Sequence, residues 1–208
     1  MRWLVWIVMI LVFFLGVGFV FWDTQVKYLL PTPQPETVNR LTIGQEVPVS
    51  YLSLLKNQNN TQPVYLHFYN PDCPCTRFNL KEVKNIAFEY KNDLKFIVVA
   101  QSKKYSEQLK QDIENLFLND ITVVLDSTGV IAEGFGVYSS PQFVLVDEAN
   151  KVVYNGNYNV SRYCTKPASS FARMAVEFLK SKDTTLFNEI KQGSELAPYG
   201  CLLPTYEQ

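Results

Sequence analysis

Two cysteines separated by a single proline, Cys73-Pro74-Cys75, close the run His67-Phe68-Tyr69-Asn70-Pro71-Asp72-Cys73-Pro74-Cys75. Val64 to Tyr69, just before them, reads as a buried strand. Thr76 to Lys91, just after, reads as an amphipathic helix. Thiols at a strand-to-helix junction meet helical N–H groups and the positive end of the helix macrodipole, and both favour the thiolate. A thiolate is the nucleophile of disulfide exchange and also a ligand for soft metals, so redox or metal chemistry at sulfur is expected here. A disulfide closed between Cys73 and Cys75 would leave the chain little freedom and is expected to be easily reduced. The alternative is that each thiol pairs elsewhere.

Other residues bear on the same chemistry. Ser140-Pro141-Gln142 heads an apolar strand, Phe143 to Asp147, and Glu148-Ala149-Asn150 reads as a hairpin turn into Lys151 to Tyr154. A strand that starts beside the thiols, runs away and returns would bring the next loop, Asn155 to Pro167, back to them. That loop carries Cys164, a candidate resolving thiol. Cys201 lies in a tail of unassigned course, where a structural disulfide to Cys164 is one reading. His67 is the single histidine. It is either a satisfied core residue or a proton carrier for the thiols.

The elements that must position these groups alternate along the chain. Leu94 to Ala100 is the second strand, Lys104 to Phe117 a second helix, Ile121 to Leu125 strand-like, and Ser127 to Phe135 a short helix. Ala168 to Lys180 sets Phe171, Met174, Ala175, Phe178 and Leu179 on one face and reads as a closing helix. Leu41 to Lys56 reads as a short strand and a helix, and Thr185 to Ile190 as a short helix in the tail. The pattern predicts an α/β domain with a mixed sheet covered on both faces.

Taken together, the dithiol, helix and proline-led strand resemble the thioredoxin-like superfamily over Val64 to Lys180. Within that span Gly129 to Gly156, GVIAEGFGVYSSPQFVLVDEANKVVYNG, resembles the membrane-tethered and alkyl-hydroperoxide-reductase/thiol-antioxidant branches. The resemblance implies that Pro141 is a cis-proline beside the active site and that Cys73 is the attacking cysteine. It also sets His67 where the superfamily has a buried acid. The chain departs from the family in three ways. Cys-Pro-Cys stands in place of Cys-x-x-Cys, Asp72 stands in place of tryptophan, and the proline-threonine peroxidase pattern is absent. A negative charge at Asp72 should oppose thiolate formation, and peroxidase activity is not expected.

Trp3 to Trp22 carries no charge. At about 1.5 Å per residue, a helix over it crosses the roughly 30 Å hydrocarbon core of a bilayer. Trp3, Trp6 and Trp22 stand near its ends as interfacial anchors, and no small-residue cleavage pattern follows. An uncleaved anchor at 3–22, a proline-containing spacer at 23–40, a domain at 41–180 and an extension at 181–208 are therefore expected. Arg2 before the helix, with Asp23 and Lys27 offsetting each other after it, favours the domain outside the cytoplasm, in the periplasm if the membrane is a bacterial inner membrane. Four cysteines suit an oxidising compartment. The part beyond the anchor is mildly acidic with no basic tract, which excludes nucleic acid as a partner.

The expected function is a membrane-anchored thiol–disulfide oxidoreductase acting on protein thiols, with no cofactor and no resident metal. Cys73 attacks, Cys75 or Cys164 resolves, Pro141 shapes the substrate groove and His67 moves protons. The rival readings are a copper-binding metallochaperone on the same fold and a binding module without the reaction.

Overall fold

The computed structural model describes residues 2–48, 50–51, 62–117, 121–161 and 167–207. Its first helix, α1 (Arg2–Thr24), consists almost wholly of apolar side chains, and none of them is buried against the rest of the chain. With the turn that follows, Arg2–Tyr28 is long and apolar enough to cross a membrane.

The domain is a five-stranded sheet in the order β3-β2-β1-β5-β6. The central strand β1 (Val64–Tyr69) pairs in parallel with β2 (Lys95–Ala100), and β2 pairs in parallel with β3 (Thr122–Leu125). On its other side β1 meets β5 (Gln142–Val146) antiparallel, and β5 turns back into β6 (Val152–Gly156). The parallel pairs need crossover helices, which are α2 (Thr76–Glu89) and α3 (Glu107–Leu116). The short α4 (Val130–Phe135) follows β3, and α5 (Phe171–Ser181) and α6 (Thr184–Glu195) follow β6.

Every residue of β1 is buried, as expected of a strand covered on both faces. The pleat sends Tyr65 and Tyr69 into one core with Val83 and Ile86 of α2, Ile113 of α3, Val176 of α5 and Ile190 of α6. It sends Val64, Leu66 and Phe68 into a second core with Ile131 and Phe135 of α4, together with Leu41, Val47 and Leu203. This is a mixed sheet with flanking helices, as the sequence patterns predict, in the thioredoxin-like arrangement that the resemblance implies.

The structure differs from those patterns in the tail and before β1. The tail helix is longer than Thr185–Ile190. Asp183 caps it by accepting from the Thr185 N–H at 2.7 Å, and Ile190 is fully buried against the first core. The strand expected within Leu41–Lys56 is reduced to an isolated bridge, Glu46 with Lys151, and residues 52–56 lie outside the described residues.

Candidate functional site

After β1 the chain turns through Asn70 to Cys75 and enters α2. The Asp72 N–H donates to the Asn70 side chain at 2.9 Å and the Cys73 N–H to the Asn70 carbonyl at 3.1 Å, which fixes the turn. Cys75 occupies the cap position of α2, and the Thr76 hydroxyl donates to the Cys73 carbonyl at 2.7 Å. The charge of Asp72 is directed elsewhere: its carboxylate accepts from the Ser102 hydroxyl at 3.0 Å and the Lys103 N–H at 3.4 Å.

Facing the cysteine turn is β4 (Ser139–Ser140), which leads through a cis Ser140–Pro141 peptide into β5. Ser140 joins the two segments. Its hydroxyl donates to the Phe68 carbonyl at 3.1 Å and accepts from the Asn70 N–H at 3.0 Å. Its carbonyl oxygen lies 3.5 Å from Cys73 Sγ. Pro141 is thus beside the cysteines, as the resemblance implies.

The third sulfur comes from the tail. Residues Cys201–Leu202 form β7, antiparallel to β4, with Ser140 opposite Cys201 and Ser139 opposite Leu202. Cys201 is disulfide-bonded to Cys73, with the Cα atoms 5.9 Å apart. Cys75 is buried and outside that bond, yet the sulfurs of Cys73, Cys75 and Cys201 all lie within 4.8 Å of one another. The reading that pairs Cys201 with Cys164 is therefore corrected: Cys201 pairs with Cys73. The tail returns to the cysteine turn as a strand, a course too short and too dependent on tertiary pairing to read from periodicity. Cys164 lies outside the described residues.

His67 points into the first core. Its Nδ1 and the Tyr158 hydroxyl are 2.8 Å apart, Tyr69 and Phe117 rings flank it, and it bonds to the Gln142 backbone. Burial holds its pKa down to about 3, so the ring is neutral at physiological pH. No hydrogen bond joins it to a cysteine among the described residues.

Sequence reasoning missed Cys201 as a partner of Cys73, and it missed Ser140 and Gly200. The only signal was the grouping Tyr199-Gly200-Cys201-Leu202-Leu203, a glycine and a cysteine set in apolar residues.

Residues 45–194 match the family model described as Domain of unknown function (DUF6436). The chain belongs to that family. The DUF6436 match includes Cys73, Cys75 and Pro141, while Cys201 lies beyond it. No curated protein matches the chain. Among solved structures, a hypothetical protein from Sinorhizobium meliloti is 14% identical, over 82% of this chain and 98% of the other, with a TM-score of 0.58. An uncharacterized conserved protein from Geobacillus kaustophilus is 18% identical, over 86% and 100%, also with a TM-score of 0.58. A putative thioredoxin from Neisseria meningitidis is 17% identical, over 60% and 79%, with a TM-score of 0.47.

Proposed function

We propose that this DUF6436 protein is a membrane-anchored thiol–disulfide oxidoreductase that acts on protein thiols outside the cytoplasm. One observation carries the reading: Cys73 is disulfide-bonded to a cysteine on a strand laid antiparallel along Ser139–Ser140, with a third sulfur within 4.8 Å. That arrangement has the form of a mixed disulfide between an exchanging thiol and an extended segment, and a neighbouring thiol stands ready to attack. Exchange requires a thiol within reach of the bonded sulfur, and the grouping of three sulfurs within 4.8 Å supplies that reach.

In this reading Cys73 is the attacking thiol and Pro141 ends the groove in which a client segment lies. Cys75 resolves the mixed disulfide, a role for which Cys164 is a further candidate. His67 holds Tyr158 as a neutral core residue and leaves proton transfer to solvent. The apolar helix α1 tethers the domain to the outer face of the membrane, a bacterial inner membrane with the domain in the periplasm, and the four cysteines fit an oxidising compartment.

The test is turnover of a model protein disulfide by the full-length chain in detergent with a dithiol reductant. Cys73→Ser should lower the rate to the uncatalysed background. Retention of more than about a tenth of the activity would overturn the reading, because no other thiol is assigned the attack.

The sulfur cluster also favours a second reading. Once reduced, three thiolates within 4.8 Å could hold a soft monovalent ion such as Cu(I). Under that reading Cys73→Ser and Cys75→Ser weaken Cu(I) binding alike, since both are ligands and neither attacks.

A further inference from the structure

The tail is built into the groove from both edges. Beyond the β4–β7 pairing, the Leu203 N–H donates to the Tyr138 carbonyl at 2.8 Å. On the opposite edge Pro31 bridges Tyr199, the Thr32 N–H donates to the Pro198 carbonyl at 2.7 Å, and the Thr32 hydroxyl donates to the Gly200 carbonyl at 3.2 Å. Leu203 is fully buried in the second core. Gly200 has φ +112 and passes so close to β4 that a Cβ there would collide with the Ser140 carbonyl oxygen. A cleft of about 400 Å³ remains open beside the strand, bordered by Pro31, Asp72, Cys73, Pro74, Lys103 and Cys201.

These contacts are those of an extended peptide added as a strand: backbone pairing gives affinity, and alternate side chains give selectivity. We infer that Tyr199–Leu203 is a tethered substrate strand, filling the groove in which an extended, cysteine-bearing segment of a client protein binds and competing with that client for Cys73. The inference rests on the exchange reading above and adds to it what the client must look like. Its cysteine is preceded by glycine or a residue of similar freedom and followed, two positions on, by an apolar side chain.

The chemistry balances with the groups present. A client disulfide is attacked by the Cys73 thiolate, one client sulfur leaves as a thiolate, and the other stays bonded to Cys73. Cys201 competes with Cys75 for the next step: as the tail returns to the groove its thiolate attacks Cys73 Sγ, so the Cys73–client bond breaks as the Cys73–Cys201 bond forms. The second client sulfur leaves and takes up a proton. The client gains two electrons and the Cys73/Cys201 pair loses them. Attack by the Cys75 thiolate on Cys73 Sγ afterwards forms Cys73–Cys75 and releases Cys201 as a thiol with no net electron transfer. A dithiol reductant resets the pair.

The probe is an activated disulfide of a synthetic peptide copying residues 197–204, added to the phosphine-reduced full-length chain in detergent. Adducts and disulfides are mapped by mass spectrometry after acid quench. In Cys75→Ser the peptide adduct on Cys73 should be transient and give way to Cys73–Cys201. In Cys75→Ser/Cys201→Ser the adduct should persist at least about tenfold longer. Cys75→Ser/Gly200→Ala should behave like the latter although Cys201 is present, because the tail no longer docks. Should Gly200→Ala fail to fold, the comparison of the first two variants decides alone. A stable adduct in Cys75→Ser with Cys201 still reduced overturns the inference, and so does a Cys73–Cys164 product in place of Cys73–Cys201. Absence of any peptide adduct, even with Cys75 and Cys201 both replaced, overturns the exchange reading itself.

Discussion

His67 is a neutral imidazole enclosed by Tyr69, Phe117 and Tyr158, with burial holding its pKa near 3 against 6.5 for the free side chain. Below pH 6.5 the unfolded chain takes a proton at this residue that the folded chain refuses until about pH 3. Stability is therefore lost as pH falls through that window, by up to about 1.4 kcal/mol per pH unit, and this group contributes no slope at higher pH. Denaturant unfolding of the full-length chain between pH 7 and pH 5 should show the slope, and His67→Gln should flatten it. An unchanged slope in the variant would place the titrating group elsewhere. Ser140, by contrast, has a structural role close to the sulfurs. Its one hydroxyl, buried, serves both Phe68 and Asn70, and so fixes the distance between the cysteine turn and Pro141.

Between elements, α2 and α5 are joined by Arg173, which pairs with Glu82 at 2.7 Å and with Glu89 at 2.5 Å. Glu82 is almost fully buried, whereas Glu89 is largely exposed, so the Glu82 contact carries the weight. Those two carboxylates raise the Arg173 pKa, as charge-assisted bonds to its guanidinium should. Arg173→Met should destabilise the domain by about 3 kcal/mol, the cost of leaving a buried carboxylate unpaired, while Arg173→Met combined with Glu82→Leu should recover most of it. Denaturation midpoints measure both. The elements around this pair were legible in the sequence because each has its own pattern: Val64–Tyr69 is apolar apart from His67, and Thr76–Glu89 and Phe171–Ser181 repeat at helical spacing. Pro141 was legible because the residues around it carry a recognisable pattern. β4 and β7 were not. Two-residue strands have no periodicity, and they exist because Gly200 permits the approach and Leu203 is drawn into a core formed by residues far away in the chain. The pairing of Cys201 was hidden for the same reason, since four cysteines allow three connectivities and spacing does not choose among them.

Over the whole molecule, the apolar helix α1 leads into the proline-containing spacer, and the strand β7, near the other end of the chain, closes the cysteine site. Pro31 and Thr32 of that spacer hold one edge of the tail, β4 holds the other, and Lys103 pairs with Glu207 beyond it. Thr205 donates to Gln101, Gln101 to Asp126, and Asp126 accepts the first N–H groups of α4, so the tail is also tied to the domain beneath the site. The segment after α1, the sulfur cluster and the tail thus form one structural unit, and in the proposed reading a client reaches Cys73 by replacing the tail. In the proposed reading Cys73 is an exchanging sulfur and not half of a structural staple. The most direct measurement equilibrates the full-length chain in detergent with buffers of varied reduced-to-oxidised glutathione ratio, then quenches with acid, alkylates and maps every cysteine by mass spectrometry. The Cys73–Cys201 population should fall continuously as the ratio rises, and Cys73 should carry glutathione when Cys75 and Cys201 are both replaced by serine. A Cys73–Cys201 bond that survives every ratio in the folded protein, with no glutathione on Cys73 in the double variant, would contradict it.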